Sequence, residues 1–360
     1  MDGTVRQILD PRLLTASYQQ LPGDVATPFT DVFYHDPEEV DDNTVRSMYD
    51  PADMAAAPGN QPGAEARVVT IGNASERVFN LFYSFNRTRL PEDIMKAIRE
   101  PASYQLQKKG ATEIGRVLAK FRARQIRFKE LVIAKILTKG VVYMNALGQV
   151  LESSTGAAQT ADFQVPAANQ GNAGGLVTGL FSTVGTDIPA ILESIVDQAL
   201  TNNVPAPRHL WMNKSNLSSL RNNTKFQTWA ANNEGPASQI LRGQMIEDLW
   251  GWTWHFVQSK YENSSGSMTP YIPATGVGSV VLTPDPTGPW VKATTGLNLI
   301  PKTLDLATTV DAALASIDQV YGAFAYAALN HNPISIDAFL GDKFGLHFNE
   351  PGAVWQLTAF

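Results

Sequence analysis

KFRARQIRFKELVIAKILTKGVVYMNALGQVL, residues 120–151, decides how this chain is read. It continues an amphipathic pattern that opens near Thr112. Ile114, Val117, Leu118, Phe121, Phe128, Leu131, Val132 and Ile136 recur near helical spacing, which predicts one long helix over Thr112–Lys139. Gly140 is a natural terminator, and Lys135 and Lys139 sit favourably at the negative end of the helix dipole. Val141–Met144 and Gln149–Leu151 then read as short strands around the compact turn Asn145-Ala146-Leu147-Gly148. The rest of the helix surface is basic. From Lys108 to Lys139 there are ten Lys/Arg against Glu113 and Glu130, a balance of +8, so in a chain of net charge −6 the remainder carries −14.

Toward the N-terminus, Arg67–Thr70 and Val78–Phe85 look like two strands joined near Gly72-Asn73, with Phe79, Leu81, Tyr83 and Phe85 on one face and Phe82 breaking the alternation. The hairpin carries Arg67, Arg77, Arg87 and Arg89. The first 65 or so residues hold no sustained period and are broken by Pro11, Pro22, Pro28, Pro37, Pro51, Pro58 and Pro62. Such a segment does not make its own core and is either disordered or an arm laid on something else. Asp31 to Asp53 contains eight acidic residues against Arg46 alone.

Toward the C-terminus, Ser153–Gly179 reads as a flexible loop rich in Gly, Ala, Gln and Thr. Asp187 caps an amphipathic helix with Ile188, Ile191, Leu192, Ile195, Val196 and Leu200 on one face. Arg208–Met212 reads as a strand, Asn216–Arg221 as a short helix and Ala237–Asp248 as a further helix. Trp250, Trp252 and Trp254 fall on one face of the next strand, and Val277–Leu282 forms another before the Pro284-Asp285-Pro286 turn. Ala323–Leu329, Ile334–Leu340, Leu346–Phe348 and Val354–Phe360 close the chain as strands. No internal repeat is present, and the class is α+β.

Composition narrows the function. The 360 residues are 44% hydrophobic and 17% charged, which is globular, with less charge than the usual quarter or so and more neutral surface for burial against partners. A net charge of −6 does not suit bulk nucleic-acid binding. There is no cysteine, so disulfides, thiolate metal sites and a cysteine nucleophile are excluded. MDGTVRQILDPRLLTASYQQ lacks the basic start and apolar run of a secretory signal, and the N-x-S/T triplets at Asn73, Asn86 and Asn263 are read as chance. Gln319–Ile336, the least charged long stretch, is interrupted by Gly322, two Asn, His331 and Pro333 and does not read as a membrane span.

Chemistry is equally sparse. There is no Gly-Lys pair for a phosphate loop, no G-x-G-x-x-G after a strand, no G-x-S-x-G and no H-E-x-x-H. His35, His209, His255, His331 and His347 show no i, i+3 or i, i+4 pair, and isolated histidines are more often packed than functional. The run Glu38-Glu39-Val40-Asp41-Asp42 has oxygen ligands but not the spacing of a calcium loop, so a solvated or docked arm is the preferred reading. The tryptophan face is a stacking platform or, preferably, a sheet face packed under a helix. The basic helix is equally a nucleic-acid surface or a solvated, partner-facing one. Together, basic helix and acidic arm suggest charge complementarity, within a subunit or between neighbours, in which Lys120, Arg124 and Arg127 take part. No catalytic, cofactor-binding or metal residue is assigned, and the chain is read as a non-enzyme.

The order of features carries a resemblance. LTASYQQLPG (14–23), the 120–151 stretch, GSVVLTPDPTGPW (278–290) and NPISIDAFLGDKFGLHFNEPGAVWQLTAF (332–360) are similar to the major capsid proteins of lambda-like tailed bacteriophages, the protein E family, with the Hong Kong 97 capsid fold. The resemblance implies an N-terminal arm (1–65), an extended E-loop hairpin (66–97), a peripheral domain around a spine helix (98–165), an axial domain (166–317) and terminal strands returning to the peripheral domain (318–360). It also implies a shell subunit of the virion, assembled in the host cytoplasm and partnered with itself in hexamers and pentamers. Scaffold, portal and decoration proteins and packaged double-stranded DNA are further implied partners; a membrane is not. Some relatives form a Lys–Asn cross-link. Here Lys96 is the single lysine of 66–97 and sits near the base, so that chemistry is not expected. Other readings are an encapsulin-like compartment, a soluble α+β enzyme without a motif, or a tail component.

Overall fold

The computed structural model describes residues 10–21, 25–49, 75–89, 104–232, 246–263, 265–301, 317–331 and 334–360. Its helices are α1 (Pro11–Gln20), α2 (Thr30–Phe33), α3 (Tyr104–Lys139), α4 (Ile188–Thr201), α5 (Leu217–Leu220) and α6 (Thr224–Asn232). The strands begin with β1 (Glu38–Val40), β2 (Thr44–Tyr49), β3 (Ser75–Asn80), β4 (Phe82–Arg89), β5 (Val141–Met144), β6 (Val150–Leu151), β7 (Gln159–Asp162) and β8 (Gln170–Gly171). They continue with β9 (His209–Asn213), β10 (Ile246–Leu249), β11 (Trp252–Val257), β12 (Lys260–Glu262), β13 (Met268–Pro270) and β14 (Val280–Thr283). The last are β15 (Val291–Pro301), β16 (Ile317–Tyr321), β17 (Phe324–His331), β18 (Ile334–Phe348) and β19 (Trp355–Leu357). The chain divides into two compact units: Met1–Val45, Asn80–Leu131 and Ala293–Leu346 form the first, and Arg46–Phe79, Val132–Lys292 and His347–Phe360 the second.

In the first unit a sheet runs β1-β15-β18-β17, with β16 also on β15 and β4 also on β18. Leu14 and Tyr18 of α1 and Ile114 and Leu118 of α3 pack with Ala323, Ala325, Ala327, Ala338 and Leu340. The small strand residues leave room for two helices close to the sheet. Helix α1 starts because Asp10 caps it, its carboxylate accepting from the amides of Arg12 (2.9 Å) and Leu13 (3.2 Å). Pro11, read from sequence as a breaker, stands at the first helical turn, where its missing N–H costs nothing.

The second unit holds the sheet β10-β11-β9-β14-β19-β8. Its core joins Ile188, Ile191, Leu192, Ile195 and Ala199 of α4 to Trp252, Trp254, Trp355, Phe181, Phe226 and Phe360. The predicted cap forms, Asp187 accepting from the Ala190 amide at 3.3 Å. The Asn145 turn also forms: Asn145 Oδ1 accepts from the amides of Leu147 (3.0 Å) and Gln149 (2.9 Å). At the end of α3, Gly140 takes φ +67° and its absent side chain would meet Val165, so glycine is needed on two counts. Gln356 Nε2 donates to the Leu137 carbonyl at 2.9 Å, satisfying one group that the helix end leaves open.

Several expectations are corrected. Helix α3 begins at Tyr104 rather than Thr112. Val78–Phe85 is not one strand: β3 pairs with β2 and β4 with β18, and the break is Leu81, whose amide donates to the Asn43 carbonyl at 2.9 Å. The buried residue there is Phe82, whereas Tyr83 and Phe85 are exposed. Arg67–Thr70 lies outside the described residues. Ser153–Gly179 is ordered by β7 pairing with β5, by β8 pairing with β19 and by two 3₁₀ turns. Ile246–Leu249 is a strand, drawn out by pairing with β11; 237–245 lies outside the described residues, and the helix of this region is α6. Trp250 sits in the turn before β11, with φ +57°, so two tryptophans rather than three share the strand face. Ile334–Leu340 and Leu346–Phe348 are parts of one strand.

Candidate functional site

The most built part of the first unit is where the N-terminal segment lies on α3. Glu130 is fully buried and its carboxylate accepts from the Phe29 amide (2.9 Å), the Thr30 amide (2.8 Å) and the Thr30 hydroxyl (2.7 Å). Burial pushes this carboxyl up from its ordinary value, and those donors oppose the shift. One residue earlier, Lys129 pairs with Asp342 at 3.1 Å and lies 4.1 Å from the Tyr34 ring centroid. Tyr34 donates to the Thr294 carbonyl at 2.7 Å, and Tyr18 donates to Gln125 Oε1 at 2.5 Å. Thr15 and Gln19 of α1 bond the backbone of Ala325 and Ala323 (2.7 and 2.8 Å).

Within the chain, this arrangement is not the complementarity expected of a basic helix and an acidic arm. The helix residue that holds the segment is acidic and reads backbone amides. Lys120, Arg124 and Arg127 are exposed. The acidic run goes elsewhere: β1 pairs in parallel with β15, and Asp41 accepts from the Tyr321 hydroxyl at 2.6 Å. Beside it a groove of about 600 Å³ is lined by Asp41, Asn43, Leu81, Tyr83, Leu299 and Lys343 among others. Lys343 donates to Asn43 Oδ1 (2.8 Å) and to the Leu297 carbonyl (2.7 Å). Next to the groove, the stacked rings of Tyr83 and Phe85 (5.7 Å between centroids) stand half exposed on β4.

In the second unit, Glu152 accepts from Lys135 through both oxygens (2.8 Å each), from Lys139 (3.0 Å) and from the Tyr261 hydroxyl. Burial alone would raise its pKa, but these partners hold it at about 2. The tertiary structure also makes a pair that sequence spacing could not show. Parallel pairing of β9 and β11 brings His209 Nδ1 to 3.0 Å from His255 Nε2, and the His255 ring stacks on Trp211 at 3.7 Å. Burial, then the neighbouring ring, lowers His255 to about 3; burial also lowers His209, against the pull of Asp285. Trp252 and Trp254 are buried in the core, the packed reading of that face. His347 is buried and stacks with Phe79. Among the described residues no three His, Asp or Glu cluster as a metal site, and no helix is long and apolar enough to cross a membrane.

The sequence pattern of the family described as phage major capsid protein E matches residues 10–298. The chain belongs to this family. As a capsid E family member it is a capsid-like structural protein of phage origin, and its α+β fold resembles the Hong Kong 97-like architecture. A search of curated proteins gives no match. Among solved structures, a prophage protein of E. coli CFT073, provisionally described as its capsid protein, superposes with a TM-score of 0.53 at 14% identity, covering 98% of this chain and 99% of that one. A phage-related protein of Bordetella bronchiseptica RB50 gives 0.48 at 11% identity, covering 98% and 97%. The capsid of cyanophage P-SCSP1u gives 0.46 at 13% identity, covering 93% and 88%. The capsid E pattern ends inside β15. The likeness of the terminal strands to the E. coli prophage protein is therefore one of fold.

Proposed function

We propose that this capsid E family protein is the non-catalytic major subunit of the icosahedral head of a lambda-like tailed bacteriophage. It assembles through hexamers and pentamers around double-stranded DNA and works with scaffold, portal and decoration proteins encoded elsewhere. The observation that carries this reading is the family pattern across residues 10–298. The surface supports it: Tyr83 and Phe85 form a ring pair half open to solvent on a strand anchored to β18, the kind of apolar feature a neighbouring subunit covers. In this reading 1–65 is the arm, 66–97 the E-loop, 98–165 with 318–360 the peripheral domain around α3, and 166–317 the axial domain. Weak contacts of this kind sum over a closed symmetric shell.

Negative-stain electron microscopy with size-exclusion chromatography tests the proposal. Closed shells, with protein expressed alone or with its neighbouring genes, are the expected result. Nuclease-protected DNA inside particles from infected cells separates a phage head from a cargo compartment. Small oligomers that persist on co-expression would overturn the shell reading, and rings or tubes would point to a tail component.

A further inference from the structure

From Thr112 to Lys139 the exposed residues of α3 are Thr112, Arg116, Lys120, Arg124 and Arg127. After Thr112 every one is a cation, at spacings of four, four and three. At about 100° per residue the four fall within an arc of about 80°, away from the Ile114, Leu118 and Gln125 face that packs into the first unit. They span about 16 Å along the axis. Glu113 lies beside the stripe, 3.8 Å from Arg116, and Arg124 rests over the Phe121 ring. No large apolar side chain is exposed among the described residues of this helix.

We propose that this stripe binds the phosphate backbone of double-stranded DNA without reading sequence. A protein partner is disfavoured because the fully buried centre of a protein interface is apolar, and among the described residues of this helix no large apolar side chain stands exposed beside these cations. A straight row of guanidinium and ammonium groups instead suits a duplex, which offers one charge per about 1.7 Å of axis. The cations bond phosphate oxygens, and release of condensed counterions drives association. The chain's net charge of −6 leaves the attraction local to this face, so binding is weak and strongly salt-dependent. The inference rests on the capsid reading for its setting, where the stripe would face the packaged genome.

The test titrates the full-length protein with a short fluorescent duplex between about 50 and 200 mM salt. A log–log slope of about −3 to −4 is expected, equal for two unrelated duplex sequences. Lys120→Gln or Arg124→Gln should each flatten it by about one, and all four replacements together should nearly abolish it. Glutamine keeps helix propensity, and circular dichroism checks the fold. An unchanged slope in the fourfold variant overturns the proposal, as does poly-glutamate binding as tightly as the duplex, which would make the stripe a docking face for acidic protein. Electron microscopy of the same variants separates the two claims: shells with an unchanged slope sink only the DNA contact, whereas absent shells with a stripe-dependent slope sink only the capsid setting.

Discussion

Trp254 in the second unit meets the rings of Trp250 and Phe256 and lies in one apolar core with Trp252, Trp355, Phe226 and the aliphatic face of α4. Around Glu130 in the first unit the partners are the amides of Phe29 and Thr30 and the Thr30 hydroxyl. Among the described residues the buried carboxylates, Glu130, Asp337 and Asp342, all lie in the first unit. Large apolar burial is strong but undirected, so the second unit is held by area removed from water. Buried polar bonds add little net stability when made and cost much when broken. They fix one geometry: which backbone groups of residues 29–30 meet α3, and in what register. The difference teaches that one unit is built to be stable and the other to hold an added segment in a single place.

That contrast can be broken. Trp254→Ala is expected to cost about 3–5 kcal/mol in denaturant unfolding, because the residue is fully buried and its loss leaves a cavity. Glu130→Ala should cost about 2–3 kcal/mol by leaving buried donors unanswered. Its sharper signature is hydrogen exchange: protection of residues 29–34 should fall while α4 and β9 keep theirs. Equal loss in both places would erase the distinction between the units.

Acidification sharpens the same comparison. His255 is held at about 3 in the folded protein and titrates near 6.5 when unfolded, so the unfolded chain binds more protons between these values. The contribution is complete above about pH 6.5 and is lost as pH falls toward 3. Thermal unfolding should therefore show a lower midpoint at pH 5 than at pH 7, and His255→Phe should flatten that fall. Glu152, held at about 2, contributes above its ordinary carboxylate range and is lost only as pH falls below it. The smallest effect is Asp10→Ala, about 1 kcal/mol from one lost cap, read as faster exchange in α1 alone.

Long periodic elements were legible. The α3 pattern, the α4 cap, the Asn145 turn and the basic surface follow from local spacing. The start of α3 was missed because Tyr104–Ala111 lacks a continuing apolar stripe. Residues 246–249 were misread because pairing with β11 overrides a helix-like composition. Leu81 was read as mid-strand because the change of partner from β2 to β18 shows in the sequence only as Phe82 breaking the alternation, which one irregular strand explains equally well. The Glu130 clamp gave no signal: an acid in a basic helix looks like a surface charge until Phe29 and Thr30 arrive from a hundred residues away.

By itself the sequence determined the α+β class, the spine helix and its stop at Gly140, the absence of cysteine chemistry and the placement of eight cations on the helix read over Thr112–Lys139. Those are properties of near neighbours along the chain, where propensity, periodicity and charge act directly. Only the tertiary structure decided that the helix holds the N-terminal segment through an acid, that His209 meets His255, and that four of the cations form the open face between Thr112 and Lys139. Each of these depends on which distant strands pair and which side of a helix is covered, and non-local contacts are specified by the whole core rather than by any local run of residues.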